Sequence, residues 1–282
     1  MIEIFHLSDL HFGKTKDWTD RAQRLLKNVL KKFQEDEHKN AHLLITGDII
    51  DNWGLAKNLW KDQYKLAEKA LIDFKSKVSL VPGNHDYGLG GFGYSQACVD
   101  YFDNSFLPAL GVAYGFRTKR PYREILDDGK GSKVMLIGLN SCLMTPGILD
   151  ISKGEIGKKQ RARLGQILND TDAKDIPKIV YLHHIPHRRA EGIGMSLTDY
   201  KELMAVVQER VDALAFGHEG AMKDPSKKRA WHVSPPARPM RIRRAAYRGI
   251  KYYLDANSSV QDKSCYRITV EGGTVTASLL EP

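Results

Sequence analysis

The sequence predicts an α/β fold built around a partly parallel sheet. Three observations support this. Strand-like and helix-like segments alternate from the N-terminus, the order that a parallel sheet with crossover helices requires. Small polar clusters follow directly after predicted strands, at the sheet edge where open α/β folds bind ligands. The chain has 282 residues and is 42% hydrophobic, enough to bury a full core. No internal repeat, low-complexity linker or composition break divides it. A single domain over 1–282 is therefore expected, with the basic, strand-rich tail 221–282 packing on the same body.

Residues 2–8 read as the first strand. A helix follows over 19–38, with Leu25, Leu26, Val29, Leu30 and Phe33 at helical spacing and Thr19 or Asp20 as its N-cap. Ala41–Thr46 is an uninterrupted apolar strand, a second helix covers about 55–75, and Lys77–Val81 is a strand stopped by Pro82-Gly83. Residues 87–95 form a glycine-rich loop, and 112–140 holds several strands. Lys158–Leu168 reads as a helix, Lys178–Leu182 as a buried strand, Leu197–Arg210 as a helix and Val211–Phe216 as a strand ending in Gly217. The tail, about 245–280, reads as antiparallel strands with Glu271-Gly272-Gly273 as the last turn.

Composition narrows the function classes. No apolar run approaches the roughly 18 residues that span a bilayer, so no membrane segment is expected. Met1–Leu7 shows no basic segment leading into an apolar one, so no signal peptide is expected either. Cys98, Cys142 and Cys265 are scattered, form no Cys-x-x-Cys pair, and fit a reducing, cytoplasmic setting. The formal net charge is +9. Between Lys227 and Lys251 lie nine Lys or Arg and no Asp or Glu, so this one stretch accounts for the excess. It reads either as a solvated strand face or as a surface for a polyanion such as nucleic acid.

Five polar clusters carry the chemistry. Ser8-Asp9-Leu10-His11 follows the first strand, and residues two apart on an extended chain face one side, so Asp9 and His11 can approach one ion. Gly47-Asp48-Ile49-Ile50-Asp51 follows the second, where the aspartate is either a cap or a ligand. Gly83-Asn84-His85-Asp86 is turn chemistry plus a histidine that a turn does not need. His183-His184 and Gly217-His218-Glu219 end two further strands. Each signal is modest alone. Carboxylate, imidazole and amide oxygen arriving together at one sheet edge form a donor set for divalent metals of intermediate hardness.

In order, Asp-x-His, Gly-Asp-x-x-Asp, Gly-Asn-His-Asp, His-His and Gly-His-x resemble the calcineurin-like metallophosphoesterase family over residues 9–219. The resemblance implies a four-layer α/β/β/α sandwich with two adjacent divalent ions, manganese first, with iron, zinc or cobalt as alternatives. It implies that Asp9, His11 and Asp48 hold metal one. Asp48 would bridge to metal two, completed by Asn84, His183 and His218. His85 resembles the family's non-ligand histidine, which protonates the leaving oxygen, and Asp51 the acid that orients it. The implied activity is hydrolysis of phosphomono- or phosphodiesters, with nucleotide or nucleic-acid substrates as a sub-case.

The sequence departs from the family at two places. The family's final motif is Gly-His-x-His, but here Gly220 stands where the second histidine would complete metal one. Metal one is thus expected to bind weakly unless water, Glu219 or His232 substitutes. A weakened member acting as a binding or scaffold protein is the alternative reading. Asn52 follows the Gly-Asp-x-x-Asp motif where protein Ser/Thr phosphatases carry arginine, which argues against that branch.

Overall fold

The computed structural model describes residues 1–35, 40–52, 59–88, 94–112, 121–142, 153–186, 197–218, 250–256 and 259–280. Two five-stranded mixed sheets form, each flanked by helices. The first runs in the order β10 (Thr274–Leu280), β9 (Cys265–Glu271), β1 (Ile2–Leu7), β2 (Ala41–Thr46), β3 (Val78–Val81). The second runs β4 (Tyr122–Asp127), β5 (Lys133–Gly138), β6 (Lys178–Tyr181), β7 (Ala213–Phe216), β8 (Tyr252–Asp255). β1, β2 and β3 are mutually parallel, as are β5 to β8. Their C-terminal ends therefore line up along one edge of each sheet.

Alternation along the second sheet explains its two apolar faces. Leu136, Ile179, Tyr181, Ala213, Ala215 and Leu254 share a buried cluster with β1, β2 and β3. The intervening Met135, Ile137, Val180, Leu214, Phe216 and Tyr253 pack instead with α6 (Lys158–Leu168) and α7 (Tyr200–Val207) through Leu164, Leu203 and Val207. On the first sheet, α1 (Lys16–Gln34) buries Ala22, Leu25, Leu26 and Val29, and α2 (Leu59–Leu71) buries Trp60, Tyr64, Ala67 and Leu71. Phe33 of α1 meets Phe5 of β1 at 5.4 Å between ring centroids.

Several expected boundaries shift for identifiable reasons. The first helix begins at Lys16, not near 19, because Thr15 is the N-cap, accepting the Trp18 N–H at 3.1 Å. Thr19 sits inside the first turn, where its hydroxyl accepts the Gly13 N–H. Helix α7 is shorter than Leu197–Arg210, since Leu197 pairs with Gly154 as a β-bridge and Asp199 accepts the Ile156 and Gly157 N–H groups. The tail is not all antiparallel: β8 joins the second sheet parallel to β7, and only β9 and β10 form a hairpin.

The sequence reading also missed a helical run between β3 and β4. It comprises α3 (Asn84–Tyr87), α4 (Gln96–Tyr101), a π-helical turn (Phe102–Phe106) and α5 (Leu107–Ala109). Its buried face is aromatic: Phe102 and Phe106 both meet Tyr64, and Tyr87 meets Phe102 edge to face. Helix α8 (Ser259–Asp262) lies between β8 and β9. Among the described residues no helix is long and apolar enough to cross a membrane.

Candidate metal centre

Each predicted ligand stands where a parallel strand ends and the chain turns. Asp9 and His11 follow β1, Asp48 and Asp51 follow β2, and Asn84 and His85 follow β3. His183 follows β6 and His218 follows β7. Pairing of β1 with β2 continues past the strands: Asp9 N–H reaches Gly47 O at 3.1 Å, His11 N–H reaches Asp48 O at 2.9 Å, and Asp51 N–H reaches Phe12 O at 3.1 Å. The first two clusters are therefore locked in register. Asp9 (φ 54°), His11 (φ 45°), Asp48 (φ 51°), Asn52 (φ 42°) and His218 (φ 68°) are all left-handed. Non-glycine residues adopt that region at a cost, and its concentration here is the pattern of a functional site.

Two groups of donor atoms form, His11 with Asp48 and His85, and Asp48 with His183 and His218, so Asp48 belongs to both. Asp9 stands beside the first: His11 Nε2 lies 3.7 Å from Asp9 Oδ1 and 3.7 Å from Asp48 Oδ2. In the second, His183 Nε2 lies 3.4 Å from Asp48 Oδ1, 3.0 Å from Asn84 Oδ1 and 2.8 Å from His218 Nδ1. His183 Nδ1 donates to the Thr46 carbonyl at 2.7 Å, which turns Nε2 toward those acceptors. Acceptors converging on one point in a buried site need a cation between them. The donor set fits paired divalent ions.

The electrostatics agree. Burial opposes the charge on Asp48, yet His183 and His85 hold its carboxyl well below the ordinary range. Burial likewise opposes a proton on His183, but Asp48 and Asp9 raise it to about 9. A proton on this imidazole occupies the place of a positive charge that the carboxylates demand.

His85 differs from the other histidines. Its side chain is 16% exposed, against 0% for His183, so it can meet a ligand from solvent. Its Nδ1 faces the main-chain carbonyl of Asp51, and its Nε2 lies 3.9 Å from Asp48 Oδ2. The orienting atom is thus the carbonyl of Asp51, whereas the sequence pointed to its carboxylate. That carboxylate sits 3.5 Å from His11 Nδ1 instead. The histidine pair divides: His183 turns into the centre, while His184 Nδ1 meets the Ser141 hydroxyl at 2.8 Å. Burial, then His218 and His183, drive His184 well below the usual histidine range, so it is neutral.

Two supporting residues escaped the sequence reading. The Asp86 carboxylate accepts the N–H groups of Ile49 (3.1 Å), Ile50 (3.2 Å) and Gly83 (2.8 Å), tying the second cluster to the third. The signal was present in the three-residue spacing from Gly83, which is that of a helix capping box. Asn52, read only as a missing arginine, is buried; its amide donates to the carbonyls of His85 and Gly88. Gly220, Glu219, His232, the His187-Arg188-Arg189 run and residues 227–249 lie outside the described residues. Lys251 sits at the N-terminal end of β8, opposite the edge that carries the ligands, and bonds the Val275 carbonyl at 2.6 Å.

Comparison with known proteins identifies the family and the fold. The chain matches calcineurin-like phosphoesterases over residues 2–222, and it belongs to that family. Among solved structures it is similar to a dimetal phosphatase from Danio rerio, at 12% identity and TM-score 0.56, covering 98% of each chain. It is also similar to TT1561 of Thermus thermophilus, at 9% identity and TM-score 0.51, again covering 98% of each chain. At such identities these likenesses concern the fold. No curated protein matches the sequence. Family membership and the two His/Asp groups together support a metal-dependent phosphoesterase with a dinuclear divalent-metal site.

Proposed function

We propose that this chain hydrolyses phosphate esters, with Asp9, His11 and Asp48 holding one divalent ion and Asp48, Asn84, His183 and His218 a second. The observation that carries this reading is Asp48, whose two oxygens face different donor groups. Only a carboxylate offers two anionic oxygens to two cations. Paired ions, when bound, neutralise the phosphoryl group and lower the pKa of a shared water. The mixed carboxylate, imidazole and amide set supports manganese, with iron, zinc or cobalt competing by availability.

His85 is the proton donor of this proposal. With Nδ1 held by the Asp51 carbonyl, Nε2 is the atom on the Asp48 side of the ring, placed to serve the leaving oxygen. Burial lowers its pKa, although Asp48 opposes the effect. An anionic phosphate beside Nε2 adds to that opposition and favours the imidazolium. Within phosphoesters we favour phosphodiesters of nucleotides or nucleic acid, because the +9 charge is concentrated in 227–251. The tail supports a single body over 1–282, since β9 pairs with β1. The three free, buried cysteines support a cytoplasmic setting.

The test is hydrolysis of nitrophenyl phosphodiester and monoester substrates by metal-stripped protein during manganese titration. Turnover that rises with manganese and vanishes with chelator is expected. Two tightly bound ions without turnover on either ester would instead establish a binding or scaffold role.

A further inference from the structure

The family match ends at residue 222, yet a residue 37 positions later grips the first metal loop. Ser259 opens α8 and is fully buried. Its Oγ accepts the Ser8 N–H at 3.1 Å, and its own N–H donates to the Ser8 carbonyl at 3.2 Å. Both main-chain polar groups of Ser8 thus end on one distant residue. The Ser259 hydroxyl proton points to the Ala256 carbonyl at 3.4 Å, which leaves its lone pairs for Ser8.

Ser8 is the hinge between β1 and Asp9. Its hydroxyl lies 2.5 Å from Asp9 Oδ2 and 3.1 Å from the Thr46 carbonyl that also holds His183. The next residue, Asp9, has left-handed backbone at φ 54°, a conformation that must be imposed from outside. The same segment reaches the last metal loop as well. Ala256 N–H extends the β7–β8 pairing to the Phe216 carbonyl at 2.9 Å, two residues before His218. His218 N–H in turn donates to Asp9 Oδ2 at 3.0 Å.

We infer that Ser259 is a positioning residue for the first metal half-site: by clamping Ser8 it fixes Asp9 in its ligand-presenting conformation. The inference rests on the two-ion reading above. It has particular weight here because Gly220 stands in the sequence where the family resemblance implies a further ligand of that half-site, which puts more demand on the placement of Asp9 and His11. Outer partners of metal ligands typically contribute about 10- to 100-fold in affinity.

The test compares wild type, Ser259→Ala, Ser259→Thr and Val260→Ala by manganese calorimetry and by melting of the metal-free proteins. Val260 is buried in the same helix, and its truncation loosens α8 while keeping the Ser259 clamp. The expected result is two classes of ion in wild type, with the weaker class weakened about tenfold in Ser259→Ala. The tighter class should be unchanged, and Ser259→Thr should recover the affinity. Val260→Ala should lower the melting temperature without separating the two classes. The inference is overturned if Ser259→Ala leaves both classes intact, or weakens both in parallel as Val260→Ala would. Should Ser259→Ala fail to fold, Ser259→Cys, with a weaker acceptor in nearly the same volume, must show the same selective loss or the inference falls. A wild type that binds no pair of ions removes the two-ion reading and this inference together, which separates the two failures.

Discussion

At the scale of single residues the site turns on charge placement. Asp48→Asn keeps an oxygen for the His85 N–H, which Oδ1 accepts at 3.0 Å, so the loop should hold. It loses the second anionic oxygen, and calorimetry should show loss of the ion pair together with turnover. Retention of two tight ions would remove Asp48 as the bridge. His85→Ala should bind metal normally and lose on the order of 100-fold in turnover. That loss should be largest for alkyl esters and small for nitrophenyl esters, whose leaving groups need no proton; equal losses would reject the donor role. Gly220→His restores a family ligand and should tighten the weaker ion class. Two equally tight classes in wild type would mean that another residue already completes the first half-site. The eight residues proposed for the site stand out in the sequence because each is a donor type placed directly after a strand. What could not be read was which atom of Asp51 faces His85, since that depends on the left-handed turn at Asn52 and not on residue type.

At the scale of elements, the loops approach so closely that glycine is needed at their contacts. A β-carbon on Gly83 would lie 2.1 Å from Asp48 Oδ1 and 2.3 Å from Asp48 N. Its φ of −100° suits any residue, so the constraint is space alone. Gly83→Ala should therefore displace the bridging carboxylate, weaken manganese binding more than tenfold and cost about 1–3 kcal/mol in stability. Gly129 makes the contrast: its φ is +67° and nothing lies within 4 Å of an added β-carbon. Gly129→Ala should cost only about 1–2 kcal/mol of left-handed strain and leave metal binding alone. Equal effects of the two variants on manganese affinity would refute the steric argument. The strands were legible as apolar runs with two-residue alternation, and α6 by its period. The short helices of 84–87 and 96–109 were not, because they are set by aromatic packing around Tyr64 and not by amphipathic spacing. The parallel placement of β8 also depends on a partner strand far away in sequence.

At the scale of the whole molecule, the two sheets share a buried polar link remote from the metal centre. His42 of β2 meets the Ser79 hydroxyl of β3 at 2.8 Å, and Ser79 donates to Glu124 of β4 at 2.6 Å. The Ser79 proton goes to Glu124, so His42 Nε2 must be the donor to the Ser79 hydroxyl. Burial pushes His42 down to about 4; Glu124 pulls the other way and Lys77 adds to the depression. In the unfolded chain the same imidazole titrates near 6.5. Between these values the unfolded state binds more protons than the folded one, so stability is complete above pH 6.5 and declines as pH falls toward 4. A shift from 6.5 to about 4 corresponds to a loss of roughly 2–3 kcal/mol by pH 4.5. His6, pushed to about 3 by burial despite Asp9, adds a loss of the same sign. His42→Gln keeps a donor toward Ser79 but cannot titrate. Denaturant unfolding of the metal-free proteins at pH 7 and pH 4.5 should show the variant losing roughly 2–3 kcal/mol less than wild type over that interval. Parallel pH dependence in the two proteins would mean that His42 is not held neutral, and that the link between the sheets is not the source of their acid sensitivity.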